Sequence, residues 1–205
     1  MAQALSVAKE LVRLSLAGDE KDPLTNLRLQ KLLYYGQAWS LVIREGELFS
    51  DDLVAWRHGP VVEAVYRGMP DGLSAHQIGP GLFEKAADLE PEEAEFVQSV
   101  WEAYNQYSAL KLSRMTHEEM PWRKAWGDRP RDGSGNDVIL VEDLEDYFAK
   151  QAMPAPLAAY SHEFRNKEDE AARKLLEIAP LGVGHLAAVS TSFTPAVSRL
   201  LAGGS

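Results

Sequence analysis

The chain has 205 residues, of which 45% are hydrophobic and 25% charged, and its formal net charge is −10. It contains no cysteine, which excludes disulfides, thiolate zinc sites and a cysteine nucleophile. The acidic balance opposes a nucleic-acid-binding role, because such surfaces carry clustered positive charge that neutralises phosphates.

The first ten residues lack the basic leader and apolar run of a secretion signal. Further along, no apolar stretch reaches the roughly 20 residues that a helix needs to cross a bilayer. We therefore expect a cytoplasmic protein without a membrane partner.

Two helices are predicted in the N-terminal region. Apolar residues at helical spacing indicate an amphipathic helix over 3–17, and Asp22-Pro23 prevents its continuation. Thr25 is a good N-cap for a second helix that runs to about Glu45. This second segment is apolar on nearly every face, which is typical of the central helix of a fold.

Short apolar runs follow the second helix. Leu48-Phe49 and Leu53–Trp56 flank polar residues and predict a small pair of strands or extended arms. Gly59-Pro60 is expected to turn the chain, with Pro60 at the first position of a short helix that continues through Tyr66. Residues 68–90 are rich in Gly and Pro, so we expect them to be irregular.

The next segments are again predicted to be helical. One helix is predicted to begin at Pro91 and a second to span 109–115. A third begins at Pro121 and lasts one or two turns, and a fourth spans 141–151, after a polar loop over 129–136. The fold class predicted for residues 1–150 is therefore mainly α, a compact helical domain with a small β-strand pair or hairpin.

Composition changes after Met153–Pro156. Residues 157–179 read as a charged helix whose apolar stripe packs either on its own domain or in the groove of a partner. Thr194-Pro195 is expected to cap a final short helix, and Gly203–Ser205 to form a flexible tail. We thus expect residues 151–205 to be a helical C-terminal extension that contributes to partner binding.

Familiar catalytic and cofactor motifs are incomplete in this sequence. His117-Glu118 begins like a metalloprotease helix, but Pro121 stands where the second histidine is needed. Gly133-Ser134-Gly135 lacks the spacing of a nucleophile elbow. Gly79-Pro80-Gly81 and Gly182-Val183-Gly184 lack the lysine of a phosphate-binding loop. Five histidines are scattered without metal-ligand spacing. We therefore predict no catalytic, cofactor-binding or metal-binding residues, and no cofactor.

Two short segments combine aromatic and titratable residues with rigid turns. In the first, Trp56, Arg57 and His58 precede Gly59-Pro60. The second is Thr116–Trp122, which carries His117 and ends on Trp122. An architectural interpretation is preferred for both, with the tryptophans filling the core, although it explains Arg57 and His58 less well.

Taken in order, these segments resemble the SocA-like antitoxins with a Panacea domain. The resemblance covers residues 25–126 and is carried by Leu29–Tyr35 with Ala38-Trp39, Leu48-Phe49, Ala55-Trp56, Gly59-Pro60-Val61, Val65-Tyr66, Leu112-Ser113, Thr116-His117 and Pro121-Trp122. One departure is His58, since many members carry an aromatic residue there. After about residue 150 the resemblance fades.

The resemblance implies an antitoxin that neutralises a cognate protein toxin by direct contact, without catalysis and without a cofactor. It also implies an adaptor that delivers the toxin to an ATP-dependent protease of the Clp type. Aromatic and Arg side chains on a rigid core form interface hot spots. We therefore expect partner contacts from six residues, namely Trp56, Arg57, His58, Tyr66, His117 and Trp122.

Two other function classes remain open at this stage. Lys111–Arg131 is locally basic, which would suit a DNA-binding repressor of the protein's own operon, although the overall charge opposes this. A hydrolase would have to use His58 or His117 as its titratable group.

Overall fold

The computed structural model of the protein describes residues 2–18, 24–70, 78–130 and 132–178, with side chains described as far as residue 174. Eight helices and three short strands lie in these ranges, so the predicted mainly α fold with a small β element is confirmed. The helices are α1 (Ala4–Ala17), α2 (Asn26–Ile43), α3 (Glu63–Arg67), α4 (Pro91–Tyr104), α5 (Ala109–Glu118), α6 (Met120–Trp126), α7 (Val141–Phe148) and α8 (Ala155–Ile178), and the strands are β1 (Leu53–Trp56), β2 (Gly59–Val62) and β3 (Asp137–Val138). The chain divides into two units, Met1–Leu157 and Ala158–Ser205.

Helix α2 is the central helix of the first unit, as predicted. It begins after Thr25, whose hydroxyl accepts a hydrogen bond from the Arg28 N–H and so satisfies one of the free donors of the first turn. Every residue of α2 except Leu27 and Val42 is buried. The helix is enclosed because α1, α4, α5, α7 and β2 all pack against it.

The loop after α2 is held by a buried amide of that helix. Gln37 Oε1 accepts hydrogen bonds from the N–H groups of Leu48 and Phe49, at 3.0 and 3.1 Å, and its Nε2 donates to the Phe49 carbonyl at 3.0 Å. Phe49 also forms an isolated parallel bridge with Ala2. Leu48-Phe49 therefore does not pair with Leu53–Trp56 as predicted, because Gln37 and the N-terminal segment satisfy its backbone instead.

The small sheet has the order β2-β1-β3, and both of its pairings are antiparallel. The prediction that Pro60 opens a helix is wrong: Pro60 lies in β2, and α3 begins at Glu63. Since β2 is an edge strand, a residue without an N–H is tolerated there. Strand β3, which pairs Val138 with Val54, lies just beyond the predicted polar loop.

The segment Thr116–Trp122 spans the end of helix α5, a break at Glu119 and the start of helix α6. Ser108 caps α5 by accepting a hydrogen bond from the Lys111 N–H. Helix α5 runs three residues beyond its predicted end, to Glu118, and Pro121 lies in the first turn of α6. Because proline is accommodated only at the start of a helix, α5 and α6 are separate helices.

The C-terminal helix α8 carries charged side chains in ion pairs along its own surface. Lys167 pairs with Glu163 and Lys174 with Glu170, each four residues apart, and Tyr160 stacks on Phe164. The predicted helix at 157–179 thus corresponds to α8, whereas the predicted final helix and tail lie outside the described residues. Among the helices described, none combines the length and the apolarity that crossing a membrane requires.

Candidate partner-binding site

The turn between β1 and β2 separates two clefts of the first unit. Because Trp56 pairs with Gly59, the two residues between them, Arg57 and His58, form a two-residue turn, and both are exposed. Both residues line each of the two clefts. The turn therefore presents one cationic and one titratable side chain to both cavities.

The first cleft, here called the aromatic groove, has a volume of about 990 Å³ and is lined by Trp56, Tyr66 and Leu110 among others. Trp56 and Tyr66 meet edge to face with their ring centroids 4.8 Å apart. The Trp56 indole N–H donates to Asn136 Oδ1 at 2.6 Å, which fixes the orientation of the ring. Tyr66 is 40% exposed and Leu110 is 71% exposed, so apolar surface is open to a partner.

The second cleft, here called the basic cleft, has a volume of about 1050 Å³ and lies against α5 and α6. Its lining holds five cationic side chains, Arg57, Arg114, Arg123, Lys124 and Arg129, and two acidic ones, Glu118 and Asp128. This is a local excess of positive charge on a chain whose net charge is −10. The field in the cleft consequently favours an anionic group.

Two of these cations are already paired. Lys124 Nζ lies 2.7 Å from Asp143 Oδ1, and Arg129 Nη2 lies 2.6 Å from Asp137 Oδ2. Arg129 also donates to the backbone carbonyls of Ala125 and Trp126. These contacts tie the rim of the cleft to α7 and β3, so the rim is positioned by the fold.

His117 and Trp122 join α5 and α6 to the β1–β2 turn. The two ring nitrogens of His117 face two backbone carbonyl oxygens, that of Ser113 at 2.5 Å and that of Arg57 at 3.0 Å. Trp122 is 7% exposed, packs on the His117 ring, and donates its indole N–H to the Trp56 carbonyl at 3.0 Å. Both residues therefore position the turn, and the His117 nitrogens are occupied by the backbone.

Beneath the turn, a buried lysine fixes β2 to α2. Lys31 has no exposed surface, and its Nζ donates to the Pro60 carbonyl at 2.9 Å. Burial lowers the pKa of the Lys31 amine to about 7. Gly59, with a φ of +101°, leaves room for this side chain, since a Cβ there would lie 2.7 Å from Lys31 Cε and Nζ. Next to it, the Gln30 amide oxygen accepts a hydrogen bond from the Val62 N–H at 2.8 Å.

A buried carboxyl lies at the break between α5 and α6. The Tyr35 hydroxyl of α2 donates to Glu119 Oε1 at 2.9 Å. Burial raises the pKa of Glu119 to about 7, opposed by this hydrogen bond. The pKa of Tyr35 is raised mainly by its own burial and, next, by the negative charge of the Glu119 carboxylate. Glu119 thus connects the start of α6, which carries Trp122, to the central helix.

All six residues predicted to contact a partner lie around these two clefts. Trp56, Arg57, His58 and Tyr66 line the aromatic groove, whereas Arg57, His58, His117 and Trp122 line the basic cleft. The sequence interpretation did not single out Arg114, Arg123, Leu110 or Met120. The sequence pointed to Arg114 and Arg123 only through the locally basic stretch over 111–131. In the described ranges, no group of three or more His, Asp or Glu side chains is placed to hold a metal ion.

Residues 29–123 match the family model described as Antitoxin SocA-like, Panacea domain. Over these residues the chain is similar to the SocA-like Panacea domain. The predicted resemblance is thereby confirmed, and the match supports an antitoxin role and a regulatory rather than an enzymatic one. No curated protein and no solved structure gives a significant match to this chain.

Proposed function

We propose that this protein is an antitoxin of a toxin–antitoxin system that neutralises a cognate protein toxin by direct binding in the cytoplasm. The observation that carries the proposal is the position of the candidate site within the Panacea domain. The six residues with predicted partner contacts, from Trp56 to Trp122, fall inside the matched segment 29–123 and surround a single turn. The domain match and the candidate surface therefore coincide.

The physical character of the site supports protein binding. Exposed Arg57 lies on a turn whose cleft is also lined by exposed Tyr66. This turn is fixed from below by Lys31 and Gln30 and from the side by His117. Such a surface loses little conformational entropy when a partner binds, because its supporting contacts are already formed. Aromatic and Arg side chains are also those that contribute most to interface energy.

Co-expression with the product of the neighbouring gene tests the proposal. We expect the full chain to rescue growth and to co-purify with that product. The double variant Tyr66→Ala/Leu110→Ala should weaken the rescue, because it removes exposed apolar surface from the aromatic groove. The matched control is Leu16→Ala/Leu140→Ala, which truncates two side chains that are each 44% exposed but lie outside both clefts. Absence of rescue by the unmodified chain would overturn the proposal.

The proposal extends to the fate of the bound toxin. The protein would act as an adaptor that delivers the toxin to a Clp-type ATP-dependent protease, with residues 151–205 as a helical extension that contacts the toxin or the protease. In this case the toxin should have a longer half-life in cells without the protease. A chain ending at residue 150 should still bind the toxin but no longer shorten its half-life. Toxin turnover that is independent of the protease would leave simple sequestration as the mechanism.

A second candidate function is supported by one observation, the cationic lining of the basic cleft. A repressor of its own operon would need such a surface for phosphate contacts. A gel-shift experiment with the promoter duplex at physiological salt separates the two candidates. Binding of the duplex by the antitoxin alone would favour the repressor.

A further inference from the structure

Three arginines without an ion-pair partner among the described residues converge on the basic cleft. Arg57, Arg114 and Arg123 are exposed, and none forms an ion pair or a side-chain hydrogen bond within the described residues. Each comes from a different element, namely the β1–β2 turn, α5 and α6. Their convergence on one cleft is therefore a product of the tertiary fold.

Several other cations of this acidic chain have a carboxylate partner. Ion pairs join Lys9 to Asp88, Arg13 to Glu10, Arg44 to Glu92, Arg67 to Glu63, Lys124 to Asp143 and Arg129 to Asp137. With 31 acidic residues in the chain against 21 basic ones, three arginines that line one cleft without an ion pair among the described residues are a local concentration of positive charge. Placing like charges together costs free energy in the unbound protein, and an anionic ligand would relieve that cost.

The walls of the basic cleft add an apolar component. Trp122 and Trp126 stack with their ring centroids 5.2 Å apart, and Met120, which is 37% exposed, lies beside them. A ligand that suits this cleft therefore combines carboxylates with apolar side chains. Arginine binds carboxylates with two parallel N–H···O hydrogen bonds, which gives geometric specificity as well as affinity.

We propose that the basic cleft binds an acidic, partly apolar polypeptide segment of the toxin, whose carboxylates pair with Arg57, Arg114 and Arg123. The proposal rests on the proposed antitoxin function and adds the chemistry of the partner to it. A polypeptide segment fits better than a DNA duplex, because an open cleft of about 1050 Å³ has room for a short peptide segment whereas a duplex needs an extended basic surface. The net charge of −10 further opposes a polyanion as long as DNA.

A direct binding experiment tests the chemistry without requiring the toxin. The full chain is titrated by fluorescence anisotropy against a labelled peptide of Glu, Ser and one Phe, against its Gln counterpart, and against the promoter duplex. We expect the Glu peptide to bind, with an affinity that falls as salt rises, and the Gln peptide to bind at least about tenfold more weakly. Equal binding of both peptides, or binding of the duplex alone, would overturn the proposal.

Charge reversal locates the binding in the basic cleft. The variant Arg57→Glu/Arg114→Glu/Arg123→Glu should weaken the Glu peptide at least about tenfold. A matched control, Lys85→Glu/Lys150→Glu/Arg165→Glu, makes the same change in net charge at exposed positions outside the cleft and should leave the affinity within about twofold. Equal losses in the two variants would mean that net charge alone governs binding, and the cleft would have no specific role.

The same two variants separate this proposal from the proposed function. If the unmodified chain rescues growth from the toxin and the cleft variant does not, both proposals hold, provided that the control variant rescues. If the cleft variant rescues as well as the unmodified chain, the antitoxin function stands and the cleft proposal fails. If the unmodified chain itself fails to rescue, the antitoxin function fails, and the peptide titration alone decides the binding chemistry of the cleft.

Discussion

The polar groups along α2 and the cationic groups of the basic cleft differ in how they are satisfied. On α2, Gln30, Lys31 and Gln37 are buried, and each is hydrogen-bonded to backbone groups of a neighbouring loop or strand. In the basic cleft, Arg57, Arg114 and Arg123 are exposed and unpaired within the described residues. The first set therefore stabilises the fold, whereas the second set is available to a ligand.

This difference separates stability from function at the level of single residues. A buried polar side chain that is removed leaves its backbone partners without hydrogen bonds, which costs free energy of folding. An exposed arginine without a partner makes no contribution of that kind, so its removal affects binding alone. Four predictions test the contrast, and they are given in order of decreasing effect.

Replacing Gln37 should give the largest loss of stability. Gln37→Leu leaves two N–H groups and one carbonyl of Leu48 and Phe49 without their hydrogen bonds, so we expect a loss of about 3 to 5 kcal/mol in the free energy of unfolding. Urea denaturation measures it. The control Gln98→Leu removes an exposed amide that, among the described residues, bonds to Glu102 alone, and should change stability by less than about 0.5 kcal/mol. Similar small losses in both variants would mean that water replaces the amide of Gln37.

Adding a methyl group at Gly59 should destabilise the support of the turn. The φ of +101° disfavours any side chain, and the new Cβ would lie 2.7 Å from Lys31 Cε and 2.9 Å from Thr116 Oγ1. We expect Gly59→Ala to cost about 2 to 4 kcal/mol, measured by thermal or urea unfolding. Gly79→Ala is the control, since a Cβ there meets nothing within 4 Å. Equal stability of the two variants would show that Lys31 moves aside freely.

The carboxyl of Glu119 should make stability depend on pH. Its pKa is about 7 in the folded chain and 4.5 in a model compound, so between these values the folded state binds more protons than the unfolded state. Stability therefore falls as pH rises through this window. Glu119→Gln removes this contribution, and its stability relative to the unmodified chain should rise by about 1 to 3 kcal/mol from pH 4.5 to about 8.

Urea midpoints measured across that pH range check this prediction. The control Glu145→Gln changes an exposed carboxyl that does not act on Glu119, and its stability should run parallel to that of the unmodified chain. If stability still fell between pH 4.5 and 7 in Glu119→Gln, the pH dependence would belong to another group.

Removing single arginines of the cleft should have the smallest effect on stability. Arg57→Ala, Arg114→Ala and Arg123→Ala should each change the free energy of unfolding by less than about 0.5 kcal/mol. Arg28→Ala provides the contrast, because Arg28 has no exposed surface, donates to the Asn105 carbonyl and lies over the Trp101 ring, and its loss should cost about 3 kcal/mol. A large loss at any of the three cleft positions would show that this arginine stabilises the fold.

Local signals predicted the helices but not the pairing of the strands. Thr25, Pro91 and Pro121 mark helix starts by their own backbone and capping preferences, and the structure confirms all three. Pro60 carries the same local preference, yet it lies in β2. Its position depends on pairing with Ala55 and on the hydrogen bond from Lys31, neither of which a local pattern contains.

For the candidate site, the sequence indicated the residue types but not how they assemble. Trp56 and Trp122 were predicted as site residues because they are aromatic and lie next to rigid turns. Arg114 and Arg123, which also line the basic cleft, were not predicted individually, because in the sequence they are part of a longer basic stretch. Whether an arginine in such a stretch is paired depends on which carboxylates the fold brings near it. Lys124 forms an ion pair with Asp143 of α7, whereas Arg123, its neighbour in the chain, forms none with the described residues.

The sequence by itself determined the helical segments, the central position of α2 and the resemblance to the SocA-like Panacea domain, because these follow from periodicity, capping and the order of short motifs along the chain. The tertiary structure alone decided that β2 pairs with β1, that Lys31 is buried beneath Gly59, and that Arg57, Arg114 and Arg123 line one cleft. The physical reason is that the last two features bring together residues 28 to 66 positions apart in the chain, which happens only when the helices pack. The strand pairing is local, but β2 is held in place by the hydrogen bond from Lys31 of α2 to the Pro60 carbonyl.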